Sequence, residues 1–217
     1  MMSVVKLKKV YFVRHAESQD DADFIHQRGD SPLSENGRDQ AALLAGRFSH
    51  TPFDVILASP LERSKETAEF VALASGKEIV YEPDLGEIKS PMVLEGISQE
   101  DTEFDAMRQV LHEKWHLPAW HYADEENFSD VKKRALAVLK VIEKRDEAKI
   151  VVISHGHFLT MVFLVMALGK LVTAEEFLNF DIFSYQDPTG IALCELTDKG
   201  WKMRTWNDIT HLTEMIN

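Results

Sequence analysis

Two apolar runs set the strongest limits on how this chain can fold. Val10-Tyr-Phe-Val13 climbs to Arg14-His15, and Ile150-Val-Val-Ile153 climbs to Ser154-His155. Unbroken β-branched and aromatic residues predict strands, and in open α/β sheets ligands gather at the strands' carboxyl ends. Each run therefore delivers an imidazole, and the first also a guanidinium, to the place where such sheets bind small molecules.

The segments around them alternate. The first strand is expected from about Val4 to Val13, followed by a polar loop from Gln19 to Pro32 punctuated by glycine and proline. Ser34 stands three residues before Gly37 and predicts the cap of a helix Glu35–Phe48, with Ala41, Leu44, Ala45 and Phe48 at helical spacing. Phe53–Ala58 reads as a short buried strand, and Ser59-Pro60 as the opening of a helix of about Leu61–Ser75 that Gly76 closes. This β-α-β-α order implies parallel strands with helical crossovers. Ile79-Val-Tyr81 reads as a third strand, and 82–98, with two prolines and two glycines, as irregular. Helices are expected near Glu100–Trp115 and Phe128–Arg145, and a buried one over Phe158–Leu168 closed by Gly169. Phe180–Tyr185, Ile191–Leu196 and Trp201–Trp206, separated by turn sequences, read as an antiparallel meander. The expected fold is a three-layer α/β/α sandwich with a mainly parallel central sheet and antiparallel C-terminal strands, one domain over 1–217. Its exposed antiparallel edge could pair with another chain, which leaves the oligomeric state open.

Composition narrows the partners. A net charge of −12 argues against nucleic acid. The single cysteine, Cys194, excludes an internal disulfide and suits a reducing compartment. The apolar part of the N-terminus is too short for a signal peptide, and the apolar helix near Met161–Leu168 is too short for a bilayer, so a cytoplasmic protein without membrane contact is expected.

Arg63 opens the helix after the second strand, so two arginines and two histidines fall at strand ends or helix starts. The planar guanidinium fork suits a tetrahedral phosphate, and helix N-termini add N–H donors. Nine histidines make chance placements certain, but only His15 and His155 directly end apolar strand runs. The pattern predicts a site for a small anion.

The same residues carry a family resemblance. Val13-Arg14-His15-Ala16-Glu17-Ser18 resembles the arginine–histidine signature of the histidine phosphatase superfamily, in its phosphoglycerate mutase-like branch. Asp30-Ser-Pro-Leu-Ser-Glu-Asn-Gly37, Ala58-Ser-Pro-Leu-Glu-Arg63 with Glu66-Thr-Ala68, and Ser154-His155-Gly156 resemble that family's further motifs in the family's order. The resemblance implies a metal-independent phosphomonoester hydrolase acting through a phosphohistidine, with a small phosphorylated metabolite as substrate and no cofactor. It implies His15 as nucleophile, with Arg14, Arg63, His155 and Gly156 holding the phosphoryl group. Leu85-Gly-Glu87 resembles the family's acid element, which implies Glu87 as general acid; the tryptophan usual after it is replaced by Leu94, and Glu17 and Glu95 stay as alternatives. Where several members carry a phosphate-touching asparagine, this chain has Asp21, which with His26 and Arg28 is a candidate for contacts to the substrate. Residues of about 89–127 are expected to cap the site. The alternatives are a phosphoglycerate mutase-type phosphotransferase and a non-catalytic module that binds phosphorylated ligands. A two-histidine metal hydrolase ranks last, because the arginines beside both histidines repel a cation.

Overall fold

The computed structural model describes residues 7–213. In chain order the elements are β1 (Lys8–Arg14), α1 (Gln19–Ala22), α2 (Glu35–Ser49), β2 (Val55–Ala58), α3 (Glu62–Ser75), β3 (Ile79–Tyr81), α4 (Asp105–Lys114), α5 (Phe128–Lys144), β4 (Lys149–Ser154), α6 (Gly156–Leu168), α7 (Ala174–Phe183), β5 (Ile191–Thr197) and β6 (Gly200–Asp208). The strands form one sheet in the order β3-β2-β4-β1-β5-β6. The first four are mutually parallel, while β5 runs antiparallel to β1 and β6 antiparallel to β5.

The sheet separates two cores because side chains alternate along each strand. Val10 and Phe12 of β1 join Ile150 and Val152 of β4 against α5, α6 and α7, through Val131, Val138, Phe158, Val162 and Phe177. Val13, Val151 and Ile153 face the other way, onto Leu44 and Phe48 of α2 and Ala68 and Val71 of α3. Three layers result, as the order of elements predicts. Helix ends follow from local chemistry. Ser34 Oγ accepts from the Gly37 N–H at 2.9 Å to start α2, and Gly76, at φ 68°, ends α3 in the left-handed conformation that glycine adopts at little cost.

The structure corrects several expectations. Phe180–Tyr185 is not a strand. A capping box between Thr173 and Glu176 starts α7, and Ala174 and Phe177 bury against the core, so the helix runs through Phe180 and Ile182 despite their β-preference. The C-terminal meander is accordingly a hairpin of β5 and β6. The 19–32 loop contains the short helix α1, made by a capping box between Ser18 and Asp21. Ser59-Pro60 precedes α3 without capping it: Leu61 is the N-cap, and Ser59 Oγ accepts from the Leu61 N–H at 3.2 Å. Of the helix expected over Glu100–Trp115, the first part is a tight 3-10 turn, and α4 begins at Asp105. The first strand begins at Lys8, and Val4 to Lys6 lie outside the described residues.

The close approach of α2 to the loop after β1 depends on Gly37. A Cβ there would fall 1.9 Å from the Glu17 carbonyl oxygen. Overpacking of this kind costs about 1–3 kcal/mol. Gly37→Ala is expected to lower the urea unfolding midpoint by a corresponding amount, with the slope of the transition unchanged.

Candidate active site

The parallel pairing of β1 with β4 aligns Arg14 with Ser154, and the His15 N–H donates to the Ser154 carbonyl at 2.9 Å. Both strands thus end in step, and the His15 and His155 rings lie side by side with centroids 5.0 Å apart. His15 stands at the floor of a cavity of about 1180 Å³, lined among others by Arg14, Arg63, Glu87 and Gly156, with His155 buried behind it.

His15 is fixed at both ring nitrogens. Its Nδ1–H donates to the Ala16 carbonyl at 2.6 Å, since a carbonyl only accepts. That leaves the lone pair on Nε2, which accepts from Arg63 Nε at 3.2 Å. Burial, then the charges of Arg63 and Arg14, push the His15 pKa down to about 3. The imidazole is therefore neutral, with its basic nitrogen aimed at a guanidinium, at any ordinary pH.

Arg63, only 2% exposed, is held in turn by a bond from Nη1 to the Arg28 carbonyl at 2.9 Å. Arg14 donates from Nη1 to the Gln186 carbonyl at 2.8 Å, and its guanidinium lies over the Tyr185 ring, 5.5 Å from the centroid. Gly156, the first residue of α6, passes beside Arg14; a Cβ there would sit 3.6 Å from the arginine's Cδ and Nε. His155 is fully buried and does not line the cavity. Its Nε2 lies 2.8 Å from Ser59 Oγ and 3.3 Å from Ser64 Oγ, while its Nδ1 is buried without a partner. Burial, then Arg63, hold its pKa well below the usual value.

Glu87 is carried on irregular backbone, yet it is well placed. One carboxylate oxygen accepts from the Phe158 N–H in the first turn of α6 at 2.9 Å and from its neighbour Ile88 at 2.8 Å. The backbone beneath it is moored by Arg134 of α5, which donates to the carbonyls of Asp84 at 2.8 Å, Gly86 at 2.7 Å and Glu87 at 3.2 Å and pairs with Glu126 at 2.6 Å. Of the alternative acids, Glu17 accepts from Ser34 Oγ at 2.6 Å and Asn36 at 3.1 Å, so its carboxylate serves the start of α2. Glu95 lines the cavity wall with its side chain exposed.

The other candidates divide. Asp21 lines the cavity beside Arg14, at 3.4 Å, but its other oxygen caps α1 through Ser18. Burial works to raise its pKa; the neighbouring His15 and Arg14 and the Ser18 bonds outweigh burial and keep it below the usual range. His26 lines the cavity, its pKa lowered by burial and by Arg108. Arg28 does not: its guanidinium pairs with buried Asp20 at 2.5 Å, so it reaches the site only through its carbonyl. Sequence reasoning missed Arg134, His157 and Asp181. His157 lies two residues beyond His155 on the cavity wall, and its Nδ1 is 2.9 Å from Asp181 of α7, which raises its pKa to about 9. Among the described residues, no group of three or more metal-ligating side chains converges.

The sequence profile of the histidine phosphatase superfamily (branch 1) matches residues 10–209. The chain belongs to that superfamily. Among its relatives, a probable phosphoglycerate mutase GpmB of Photorhabdus laumondii is 30% identical over 94% of each chain, and one from Cronobacter sakazakii is 28% identical over the same share. A solved structure of a putative alpha-ribazole-5'-P phosphatase from Escherichia coli superposes with a TM-score of 0.79 at 21% identity, covering 93% of this chain and 97% of that one. YhfR of Bacillus stearothermophilus gives 0.78 at 25%, covering 94% and 99%. The superfamily holds phosphatases and mutases alike, and the α/β architecture is common to them.

The buried imidazoles give this superfamily member a specific acid response. A histidine held neutral in the fold binds its proton at lower pH than in the unfolded chain, where the pKa is about 6.5. The unfolded state therefore takes up more protons below that pH, and stability falls as pH drops from about 6.5 toward the folded value. His15 contributes this down to about 3, and His211, pushed to about 4 by burial and Arg47, does so away from the cavity. His211 Nε2 bonds Thr189 Oγ1 at 3.0 Å. The melting temperature is expected to fall steadily between pH 7 and pH 4. His211→Gln, which keeps a bond to Thr189, should flatten that fall by about 2–4 °C, the equivalent of about 1 kcal/mol.

Proposed function

We propose that this protein is a metal-independent phosphomonoester hydrolase that works through a phosphohistidine. The observation that carries this reading is His15: a neutral imidazole lining the cavity, whose Nδ1 is committed to the Ala16 carbonyl and whose Nε2 keeps its lone pair, which accepts from Arg63 Nε. Such a nitrogen is a ready nucleophile. His15 Nε2 attacks phosphorus, the P–O bond to the alcohol breaks, and Glu87 gives its proton to the departing oxygen. Water then attacks the phosphohistidine while Glu87 takes the proton back, which releases phosphate and restores the imidazole. Arg14 and Arg63 supply positive charge to the phosphoryl oxygens, a contribution that can reach ~10³–10⁵ in rate for an arginine. Two buried nitrogens beside that floor, Arg14 Nε and His155 Nδ1, have no partner in the structure. Gly156 leaves the space beside Arg14 open to phosphate. Residues of about 89–127 act as the cap, supplying Lys89, Ser90, Glu95, Gln99, Trp115 and Glu126 to the wall. The names of the curated relatives favour a second reading, transfer of the phosphoryl group to another hydroxyl in place of water.

The test is turnover of p-nitrophenyl phosphate in excess EDTA. Wild type should release phosphate, His15→Ala should lose activity by on the order of 10³ or more, and Glu87→Gln should lower kcat by ~10²–10⁴. Chelator-sensitive turnover, or full activity in His15→Ala, would overturn the reading. Appearance of isotopic label from the phosphate donor in an acceptor alcohol, instead of in free phosphate, would select transfer.

A further inference from the structure

The cavity extends well beyond the phosphate floor, and its charges are already matched. Three cations line its outer wall, and each has an acid beside it. Arg134 pairs with Glu126 at 2.6 Å, and His157 with Asp181 at 2.9 Å. Lys89 Nζ lies 3.1 Å from Asp124, and its N–H donates to Glu126 at 3.0 Å. Glu95, also on the wall, has no cation paired with it among the described residues. At the floor, Arg14 lies beside Asp21, and Arg63 feels the charges of Glu87 and Asp21, so one phosphate group would use both guanidiniums there. A second anionic group on the substrate would meet Glu95, an acid with no cation beside it, in a protein of net charge −12.

The same wall is broad and apolar at the mouth. Phe24 is 70% exposed and holds φ 53°, a left-handed backbone that a bulky side chain rarely adopts. It is kept there by the Gln99 N–H, which donates to the Phe24 carbonyl at 3.0 Å, and by a bridge between Ile25 and Ser98. Tyr185, 63% exposed, lines the same cavity, with Trp115, Phe177 and Leu178 further along the wall. Strain that keeps an aromatic ring in solvent at a cavity mouth is a sign of use. The volume, about 1180 Å³, exceeds what a three-carbon phosphate fills.

We infer that the alcohol released by this enzyme is bulky, presents an apolar face to Phe24 and Tyr185, and carries no second phosphate or carboxylate. This rests on the hydrolase reading above and names its substrate class. Discrimination arises from the unpaired Glu95 set against the wrong ligand as much as from contacts to the right one.

The experiment compares benzyl phosphate, glycerol 3-phosphate and 3-phosphoglycerate. The last two share a carbon skeleton and differ by one carboxylate. kcat/KM should be highest for benzyl phosphate, and glycerol 3-phosphate should exceed 3-phosphoglycerate by at least about tenfold. Phe24→Gly, which suits the left-handed backbone and so preserves the fold, should lower kcat/KM for benzyl phosphate about tenfold and leave glycerol 3-phosphate within about twofold. Glu95→Lys should narrow the gap between the two three-carbon esters. The same ranking is read in binding by calorimetry on His15→Ala, without turnover. A ranking of affinities as expected with no hydrolysis by wild type would overturn the hydrolase reading alone. Equal or better use of 3-phosphoglycerate, or indifference of benzyl phosphate to Phe24→Gly, would overturn the inference alone.

Discussion

The site depends first on strand register. Because β1 and β4 pair in parallel with Arg14 opposite Ser154, the two chains leave the sheet at the same level and set two imidazoles ring to ring. Register in a sheet buried on both faces is firmly specified, since a slip by one residue would turn Val10 and Phe12 out of one core and into the other. The apolar packing of the sheet thus does the positioning, and Arg14, His15 and His155 inherit their precision from it. No hydrogen bond within the site could hold two histidines so close if the strands beneath were free to slide.

The second constraint is electrostatic. Two guanidiniums and two imidazoles share a buried floor, and such a group is stable only if the imidazoles stay uncharged. Burial and the neighbouring arginines both act in that direction on His15 and His155. The same arrangement that would be unfavourable with four positive charges is suited to an incoming anion. His157, the residue after Gly156 and paired with Asp181, shows the opposite outcome: the carboxylates of Asp181 and Glu87 keep an imidazole protonated.

Much of this was legible in the chain. Val10–Val13 and Ile150–Ile153 announced buried strands, Ser34 and Gly76 marked helix ends, and Arg14, His15, Arg63 and Glu87 converge on one cavity as their motifs implied. Local signals misled where a cap outweighed propensity, as in α7, whose Phe180 and Ile182 favour strands but follow the Thr173–Glu176 box. Arg28 was misjudged because nothing local reveals that Asp20 is buried beneath it. Arg134, His157 and Asp181 lay beyond sequence reasoning for a different reason. Their roles arise from pairs brought together by the fold, across separations such as 157 to 181, and neither partner carries a pattern of its own.

Arg134 has a consequence for how such a site can diversify. One side chain grips three carbonyls of the segment bearing Glu87 and also the carboxylate of Glu126, which belongs to the stretch over the cavity. The segment of Glu87 and the stretch that carries Glu126 therefore hang from a common peg on α5. Exposed wall residues such as Ser90 and Glu95 lie outside that set of bonds, so a change in them leaves the peg in place. Wall and anchor can in this way vary independently, although they border the same hollow.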